Sequence, residues 1–386
     1  MAQKSKQWAA IIMMIALFAM IAFVTNLCSP MATIVKNQFG ASELAGQIGN
    51  YANFIAYLVM GIPSGMLIAK LGYKKTALLA LIVGIVGIVF EYLSGVVGSY
   101  VIYLVGAFIS GLCMCMLNTV VNPLLNVLGG GGKTGNQLIQ IGGAANSAAA
   151  VAVYILMGAL IGEVTKSTGI SDATPALIIA GVIFVIAFVI LLFTKIEEPE
   201  QAKVELSLIT GALKFRQLSL GALAIFLYMS VEVGTPTYMI SYLQTPEVGL
   251  SAGVAGLIAS VYWLMMFVGR SIGGSIGGKV SSRAMVSTVA TAAIALLLFG
   301  IFAPETMKVT VIGIDWGNLE VIYPQVPVCV LAFILVGLCT SVMWGGIFNM
   351  AVEGLGKYTA AASGIFMTMV FGCAVMVGLQ AMVADK

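Results

Sequence analysis

Long apolar runs separated by short polar segments recur along the whole chain. Each has 18 or more residues, enough for one helix to cross the hydrocarbon core of a bilayer. The pattern predicts about eleven spanning helices, near residues 8–28, 44–67, 76–97, 99–127, 136–161, 175–194, 218–243, 252–278, 283–303, 327–351 and 361–383. The alternation of a membrane β-barrel is absent from the sequence, so we expect an all-α membrane bundle.

Two polar stretches interrupt this pattern. The longer one, "TKIEEPEQAKVELSLITGALKFRQ", follows the sixth run and carries charges of both signs. We therefore expect an N-terminal six-helix bundle over 1–194, a cytoplasmic linker with a short amphipathic helix over 195–217, and a C-terminal bundle over 218–386. The other, "KVTVIGIDWGNLEVIYP", alternates apolar and polar residues, which is typical of a short outer hairpin, with a flexible loop as an equal alternative.

The two halves resemble each other weakly. "GMLIAKLGYKKTA" follows the second run, and "GSIGGKVSSRAMV" follows the eighth. The glycine and two basic residues of the first segment align at a constant offset with those of the second, namely Gly65, Lys70 and Lys74 with Gly274, Lys279 and Arg283. Parallel repeats of six spans are typical of secondary transporters that hold a substrate between their halves near the midplane.

Composition supports a membrane protein, since 60% of the residues are hydrophobic and 9% are charged, against about 25% charged residues in soluble domains. With the N-terminus inside, the inner segments hold thirteen lysines and arginines and the outer segments four. The positive-inside rule therefore predicts a cytoplasmic N-terminus, and we expect the cytoplasmic (inner) membrane. Glu232 and Arg270 are the charged residues that we expect within the spans.

Polar side chains recur on single helix faces in the first half. They form four stripes: Asn118, Asn122 and Asn126; Asn136, Gln140, Gly143 and Ser147; Asn50, Asn53 and Tyr57; Asn26, Ser29 and Thr33. Any one stripe can be a contact between helices, but four amide-rich stripes favour a binding site for a hydroxylated ligand. The second half supplies aromatic residues, among them Tyr228, Trp263 and Trp344, which can pack on the apolar face of a sugar or lie in the core.

Other chemistries are disfavoured. The chain has six cysteines, without a CxxC pair, and no histidine, so we expect small core residues and no metal site. "GGGGKTG" resembles a phosphate-binding loop, but no strand precedes it and it lies between two spans, so we interpret it as a hinge. We expect neither an enzyme, nor a cofactor, nor a nucleic-acid partner.

Four motifs carry a resemblance to a known family. "GIPSGMLIAKLGYKK", "NTVVNPLLNVLG", "YMSVEVGTPTYMISYL" and "GLCTSVMWGGIF" followed by "GLGKYT" resemble, in this order, motifs of the fucose/glucose–galactose permease branch of the major facilitator superfamily. The resemblance implies two six-helix halves, the twelfth helix being missing from this chain; a shortened chain is favoured over a true eleven-helix protein. It also implies a cytoplasmic gate, to which we assign Gly65, Lys70, Gly72, Lys74, Lys75 and Arg270.

The chain also departs from that branch. Ala69 stands where the signature loop usually has an acid, and Lys70 where it has an arginine. In the proton-coupled fucose symporter, acids of the first and fourth helices are implicated in coupling, and Ser29 and Asn118 align with them. Neither residue can take up a proton.

The carboxylate of Glu232 inside an apolar run costs roughly 2.5–3.5 kcal/mol on insertion scales, so something must offset it. Three interpretations stay open: an ion pair with Arg270, a contact with substrate or Na⁺, and proton coupling. The coupling candidates are Glu232, Ser29 and Asn118.

The leading interpretation is a secondary transporter of a hexose-like sugar that works by alternating access, with Na⁺ or H⁺ as coupling ion or without one. The expected partners are a monosaccharide and membrane lipid, and we expect a monomer. The alternatives are a non-transporting receptor or scaffold, and a transporter of another small polar solute. The predicted substrate-binding residues are Asn26, Asn50, Asn118, Asn122, Gln140, Tyr228, Glu232 and Trp344.

Overall fold

The computed structural model describes residues 7–40, 43–46, 48–130, 132–161, 168–196, 198, 206–277, 279–315, 318 and 320–384. Within these ranges, eleven segments are long and apolar enough to cross a membrane. The helices are α1 Trp8–Phe39, α2 Glu43–Gly46, α3 Ile48–Leu71, α4 Tyr73–Val97, α5 Tyr100–Leu128, α6 Gly132–Ile161, α7 Thr174–Phe193, α8 Leu206–Ala212, α9 Arg216–Leu243, α10 Ala252–Ile276, α11 Ser282–Phe302, α12 Cys329–Thr340, α13 Met343–Val352, α14 Thr359–Met369 and α15 Gly372–Ala384. Short 3₁₀ helices cover Ile170–Ala173 and Gly356–Tyr358.

The predicted all-helical membrane fold is confirmed, and the spans have some unexpected bounds. The first helix continues eleven residues beyond the expected 8–28, to Phe39. The tenth and eleventh spans are each divided into two helices, α12–α13 and α14–α15. Hydropathy cannot reveal such breaks, because the apolar run continues through them.

The predicted hairpin between the ninth and tenth spans is confirmed. Strand β1 (Lys308–Thr310) pairs antiparallel with β4 (Gln325–Pro327). Strand β2 (Gly313–Asp315) pairs antiparallel with β3 (Glu320–Ile322). We call the end of the bundle that carries these strands the strand face, and the opposite end, which carries α8, the linker face.

The helices form two groups that meet along a central contact. We call helices α1 and α3–α7 the first half and helices α9–α15 the second half, and most of these helices pack chiefly within their own half. The halves meet chiefly where α6 packs on α10 and α3 packs on α14. At the second contact Gly61 lies so close to Thr368 that a Cβ on Gly61 would be 2.6 Å from the Thr368 backbone nitrogen. Glycine therefore allows the two backbones to approach.

The loop between α3 and α4, which carries most residues assigned to the gate, forms hydrogen bonds to the segment that follows α7 in the first half. Lys74 Nζ donates to the carbonyl oxygens of Leu192 (2.9 Å) and Thr194 (2.8 Å) at the end of α7. Glu198 accepts from the backbone nitrogens of Tyr73 (2.9 Å) and Lys74 (3.0 Å), the first residues of α4. The loop therefore joins α4 to the segment after α7.

The other gate residues have different positions. Gly65 is buried in α3, whereas Lys70 and Lys75 are exposed. Gly72 has a φ of +90°, and a Cβ there would lie 2.1 Å from Glu198 Oε2. Arg270 lies away from this loop, between the halves. The structure thus brings five of the six together near the linker face and separates Arg270 from them.

Replacing Glu198 by Ala should destabilise the first half, because two N–H groups at the beginning of α4 lose their acceptor. Loss of a helix N-terminal cap costs about 1 kcal/mol, so we expect the apparent melting temperature of the detergent-purified protein to fall by a few degrees. Glu305→Ala, at an exposed glutamate near the strand face, is the matched control and should melt like the parent protein. Equal melting of both variants would contradict the capping role of Glu198.

Candidate functional site

A central cavity of about 90 Å³ lies between the two halves. It is lined by Phe18, Ile21, Ala22, Thr25, Asn26, Phe54, Tyr57, Asn118, Ile139, Gln140, Gly143 and Asn146 from the first half, and by Met229, Glu232, Val233, Trp263, Arg270, Ser341, Trp344, Gly345 and Val370 from the second half. Amides of the first half therefore lie opposite an ion pair, a serine and two indoles of the second half. Ligand pockets usually measure roughly 300–1,000 Å³, so this cavity is smaller than a typical ligand pocket.

Glu232 and Arg270 form an ion pair at the edge of this cavity. Arg270 Nη2 lies 3.1 Å from Glu232 Oε1, and both side chains are buried. This is the first of the three interpretations of Glu232. The two residues sit on neighbouring helices α9 and α10, so the pair belongs to the second half.

The guanidinium of Arg270 also binds the first half. Its Nη1 donates to Gly143 O (2.8 Å), Asn146 Oδ1 (3.2 Å) and Ser147 Oγ (2.8 Å), all on α6. A fixed fork of five N–H donors can make contacts in several directions at once. Arg270 thus joins α9 and α10 of the second half to α6 of the first half.

The break between α12 and α13 is stabilised by side chains from neighbouring helices. A carbonyl released from the helical ladder inside a membrane needs another donor. Arg270 Nε donates to Ser341 O at 3.2 Å, and the Tyr228 hydroxyl donates to Thr340 O at 3.1 Å. Discontinuous helices of this kind commonly line the binding sites of transporters.

A network of amides continues from the cavity into the first half. Asn118 Nδ2 donates to the Tyr57 hydroxyl at 2.9 Å. Asn122 Nδ2 donates to Asn118 O at 2.9 Å, and Asn122 Oδ1 accepts from Trp344 Nε1 at 3.3 Å. Because Trp344 belongs to the second half, this network forms a second bridge between the halves.

A third bridge lies nearer the linker face, where Gln137 Nε2 donates to Gly274 O at 3.2 Å. A further cavity of about 280 Å³ lies toward the strand face, between the ends of α1 and α9. Its lining includes Thr33, Lys36, Thr237 and Gln244. The three bridges join the halves at the centre and near the linker face, and this cavity lies between them toward the strand face.

The structure brings most of the predicted binding residues to the central cavity. Asn26, Asn118, Gln140, Glu232 and Trp344 line it. Asn122 lies directly behind, in contact with Asn118 and Trp344.

Two further predicted residues, Asn50 and Tyr228, do not line the cavity. Asn50 is buried in α3 near the strand face. Tyr228 turns toward the break between α12 and α13, where its hydroxyl donates to Thr340 O. The side chain of Ser29 lies outside the described part of the structure.

The expectation that Glu232 and Arg270 are the charged residues within the spans is wrong. Glu91 also lies in a span, in the strand-side part of α4, where it is buried and accepts from Ser110 Oγ at 2.9 Å. The sequence carries this signal, since Glu91 interrupts the third apolar run. It does not line the central cavity.

Sequence reasoning also missed Thr25 and Asn146 as cavity residues, and assigned Trp263 no specific role. Thr25 adjoins the predicted stripe that begins at Asn26, and Asn146 adjoins the one that ends at Ser147. Both could have been found by widening each helix face by one residue.

The site offers hydrogen bonds and apolar surface rather than bond-making chemistry. Its one ion pair is internally neutral, and within the described residues no group of three or more His, Cys, Asp or Glu side chains is arranged to hold a metal ion. The arrangement suits a neutral, polar solute.

Comparisons with known proteins agree with this architecture. Residues 13–379 match the family model described as Major Facilitator Superfamily. A glucose/galactose transporter of Brucella abortus is 24% identical over 376 residues, covering 96% of this chain and 86% of the relative. An L-fucose-proton symporter of Escherichia coli is 21% identical over 396 residues, covering 96% of this chain and 85% of the relative.

Solved structures agree in fold. The crystal structure of FucP, a Major Facilitator Superfamily transporter, in the outward conformation superposes with a TM-score of 0.75 at 20% identity, covering 97% of this chain and 92% of that one. The relatives named here are transporters rather than enzymes. With nearly its whole length matched by the family model, and with two helical halves around a central cavity, this chain belongs to the Major Facilitator Superfamily.

Proposed function

We propose that this protein is a secondary transporter of a hexose-like monosaccharide that works by alternating access of the central cavity. The observation that carries the proposal is the lining of that cavity, in which amides of the first half, hydroxyls and aromatic faces of both halves surround one neutralised ion pair. Amides and hydroxyls can both donate and accept, as sugar hydroxyls require. The names of the glucose/galactose and fucose transporters among the relatives support the same solute class.

The proposed orientation places the linker face in the cytoplasm. The excess of lysine and arginine in the segments at that end, thirteen against four, supports this orientation by the positive-inside rule. The division of the chain at 195–217, the cytoplasmic (inner) membrane as location and a monomer in lipid are part of the same proposal. In this orientation the three bridges close the cytoplasmic side, and the cavity between α1 and α9 lies on the outer side.

For the coupling ion we rank sodium-coupled or uncoupled transport above proton symport. Glu232, the acid at the cavity, is already paired with Arg270. Glu91 is a second buried acid, but it does not line the cavity. Asn26 and Asn118 bring amide oxygens to the same space, and hard cations such as Na⁺ prefer oxygen ligands.

Uptake into proteoliposomes tests the function directly. We expect the protein to catalyse counterflow of at least one labelled sugar among D-glucose, D-galactose and L-fucose. We also expect the sugar to enter the liposomes either with an inward Na⁺ gradient or without any ion gradient. Empty liposomes are the control. A protein that exchanges none of them while remaining folded would favour a receptor, a scaffold or the transport of another solute. Accumulation driven by a pH gradient alone would contradict the ranking of the ions.

Glu232→Gln tests whether the ion pair is structural. Glutamine keeps an oxygen acceptor for Arg270 but leaves its charge uncompensated, and breaking a buried pair costs about 3–5 kcal/mol. We expect a lower melting temperature and a parallel loss of counterflow and gradient-driven uptake. A variant that loses pH-driven accumulation but keeps counterflow would instead assign proton coupling to Glu232.

Arg270→Lys tests the bridge between the halves. Lysine can keep one bond to Glu232 but cannot reproduce the planar fork that also reaches α6. With spin labels on Lys75→Cys and Arg283→Cys, two exposed positions near the linker face in different halves, we expect a shift toward longer distances. Arg216→Lys, at an exposed arginine, should leave the distances unchanged. An unchanged distribution in Arg270→Lys would show that the bridge does not hold the linker face closed.

A further inference from the structure

Two tryptophans line the central cavity, and only one of their indole N–H groups has a hydrogen-bond partner among the described residues. Trp344 Nε1 donates to Asn122 Oδ1 across the halves at 3.3 Å. Trp263 Nε1 is buried and has no hydrogen-bond partner among the described residues. A buried donor without an acceptor carries a desolvation cost of about 1–3 kcal/mol, so an acceptor should reach it in some state of the protein.

Trp263 is held rigidly at its position. It packs edge to face on Tyr262, with ring centroids 5.5 Å apart and an interplanar angle of 86°. The Tyr262 hydroxyl is in turn within 3.0 Å of Thr340 Oγ1. An aromatic ring fixed in this way loses little conformational freedom when it binds a ligand.

The position of Trp263 sets the length of the site. Trp263 precedes Arg270 by seven residues on α10, which places both on one helix face, about 10 Å apart along the axis. The N–H groups of Arg270 donate to acceptors of the protein. The indole N–H of Trp263 has no acceptor among the described residues. The donor that is available to a ligand, Trp263 Nε1, therefore lies at the strand-side end of the cavity.

The first half supplies a matching group. Thr25, on α1, also lines the cavity, and its Oγ1 is buried without a partner among the described residues. A hydroxyl can donate and accept, whereas an indole N–H can only donate. A sugar hydroxyl between the halves could accept from Trp263 and exchange a hydrogen bond with Thr25.

We propose that Trp263 is a specificity-determining residue, which donates its indole N–H to one hydroxyl oxygen of the transported monosaccharide while Thr25 holds the sugar from the opposite half. The inference rests on the proposed function and names which side chains select the sugar. Contact with both halves also links occupancy of the site to their closure. A solute without an acceptor oxygen at that position gains nothing from Trp263.

Trp263→Phe removes the N–H and keeps an aromatic face. For the sugar that the wild-type protein exchanges best, we expect the KM of counterflow to rise about fivefold, as the loss of one neutral hydrogen bond implies. Among the monodeoxy analogues of that sugar, one should be discriminated by the wild-type protein and no longer by Trp263→Phe. Thr25→Val should weaken binding similarly.

Two controls separate this role from packing. Trp8→Phe, at an exposed tryptophan near the linker face, should behave like the wild-type protein. Trp344→Phe loses an N–H that is already bonded to Asn122, so it should affect the parent sugar and all deoxy analogues by the same factor. All variants are compared at equal amounts of folded protein, measured by gel filtration.

The outcomes are distinct. If Trp263→Phe keeps the wild-type pattern of discrimination on every analogue, the assignment of Trp263 is overturned and the proposed function stands. If the wild-type protein exchanges no sugar at all, the proposed function and this inference fall together. Loss of discrimination at one hydroxyl in Trp263→Phe alone supports the inference and identifies the hydroxyl.

Discussion

The guanidinium of Arg270 is the contact on which the rest of the site depends. It compensates the charge of Glu232, donates to the Ser341 carbonyl that the break between α12 and α13 releases, and binds α6 in the other half. A buried charge in a membrane is costly unless paired, and here each of the three guanidinium nitrogens donates to a protein acceptor. One side chain thus offsets the cost of a buried carboxylate. It also links the ion pair and the helix break of the second half to the contact with α6 of the first half.

This arrangement explains how a largely apolar protein can enclose a polar solute. The neutralised pair leaves no net charge at the cavity, so the recognition of a neutral ligand falls to amides, hydroxyls and aromatic faces. The bridges from Arg270, Trp344 and Gln137 must all break for the halves to separate at the linker face. Each is a hydrogen bond of modest net strength, which suits a contact that forms and breaks in every cycle.

The sequence predicted the membrane spans, the hairpin and much of the cavity, because hydropathy and helical period act locally. It could not decide which neighbour each polar face meets. Asn118 and Asn50 have the same amide chemistry, but one lies at the cavity and the other is buried near the strand face. Tyr228 reaches a carbonyl that exists as a free acceptor because a helix breaks beside it, and no pattern in the sequence reveals that break. The position of Glu91 within a span can be predicted, because it lies inside the third apolar run.

We expect a monosaccharide to bind between the halves, at the level between Arg270 and Trp263. An experimental structure of the protein bound to the monosaccharide that it exchanges fastest tests this most directly. We expect density for the sugar in the central cavity, in contact with α1 of the first half and α10 of the second, with a hydroxyl oxygen within hydrogen-bond distance of Trp263 Nε1. Density confined to one half or lying at the protein surface would contradict it.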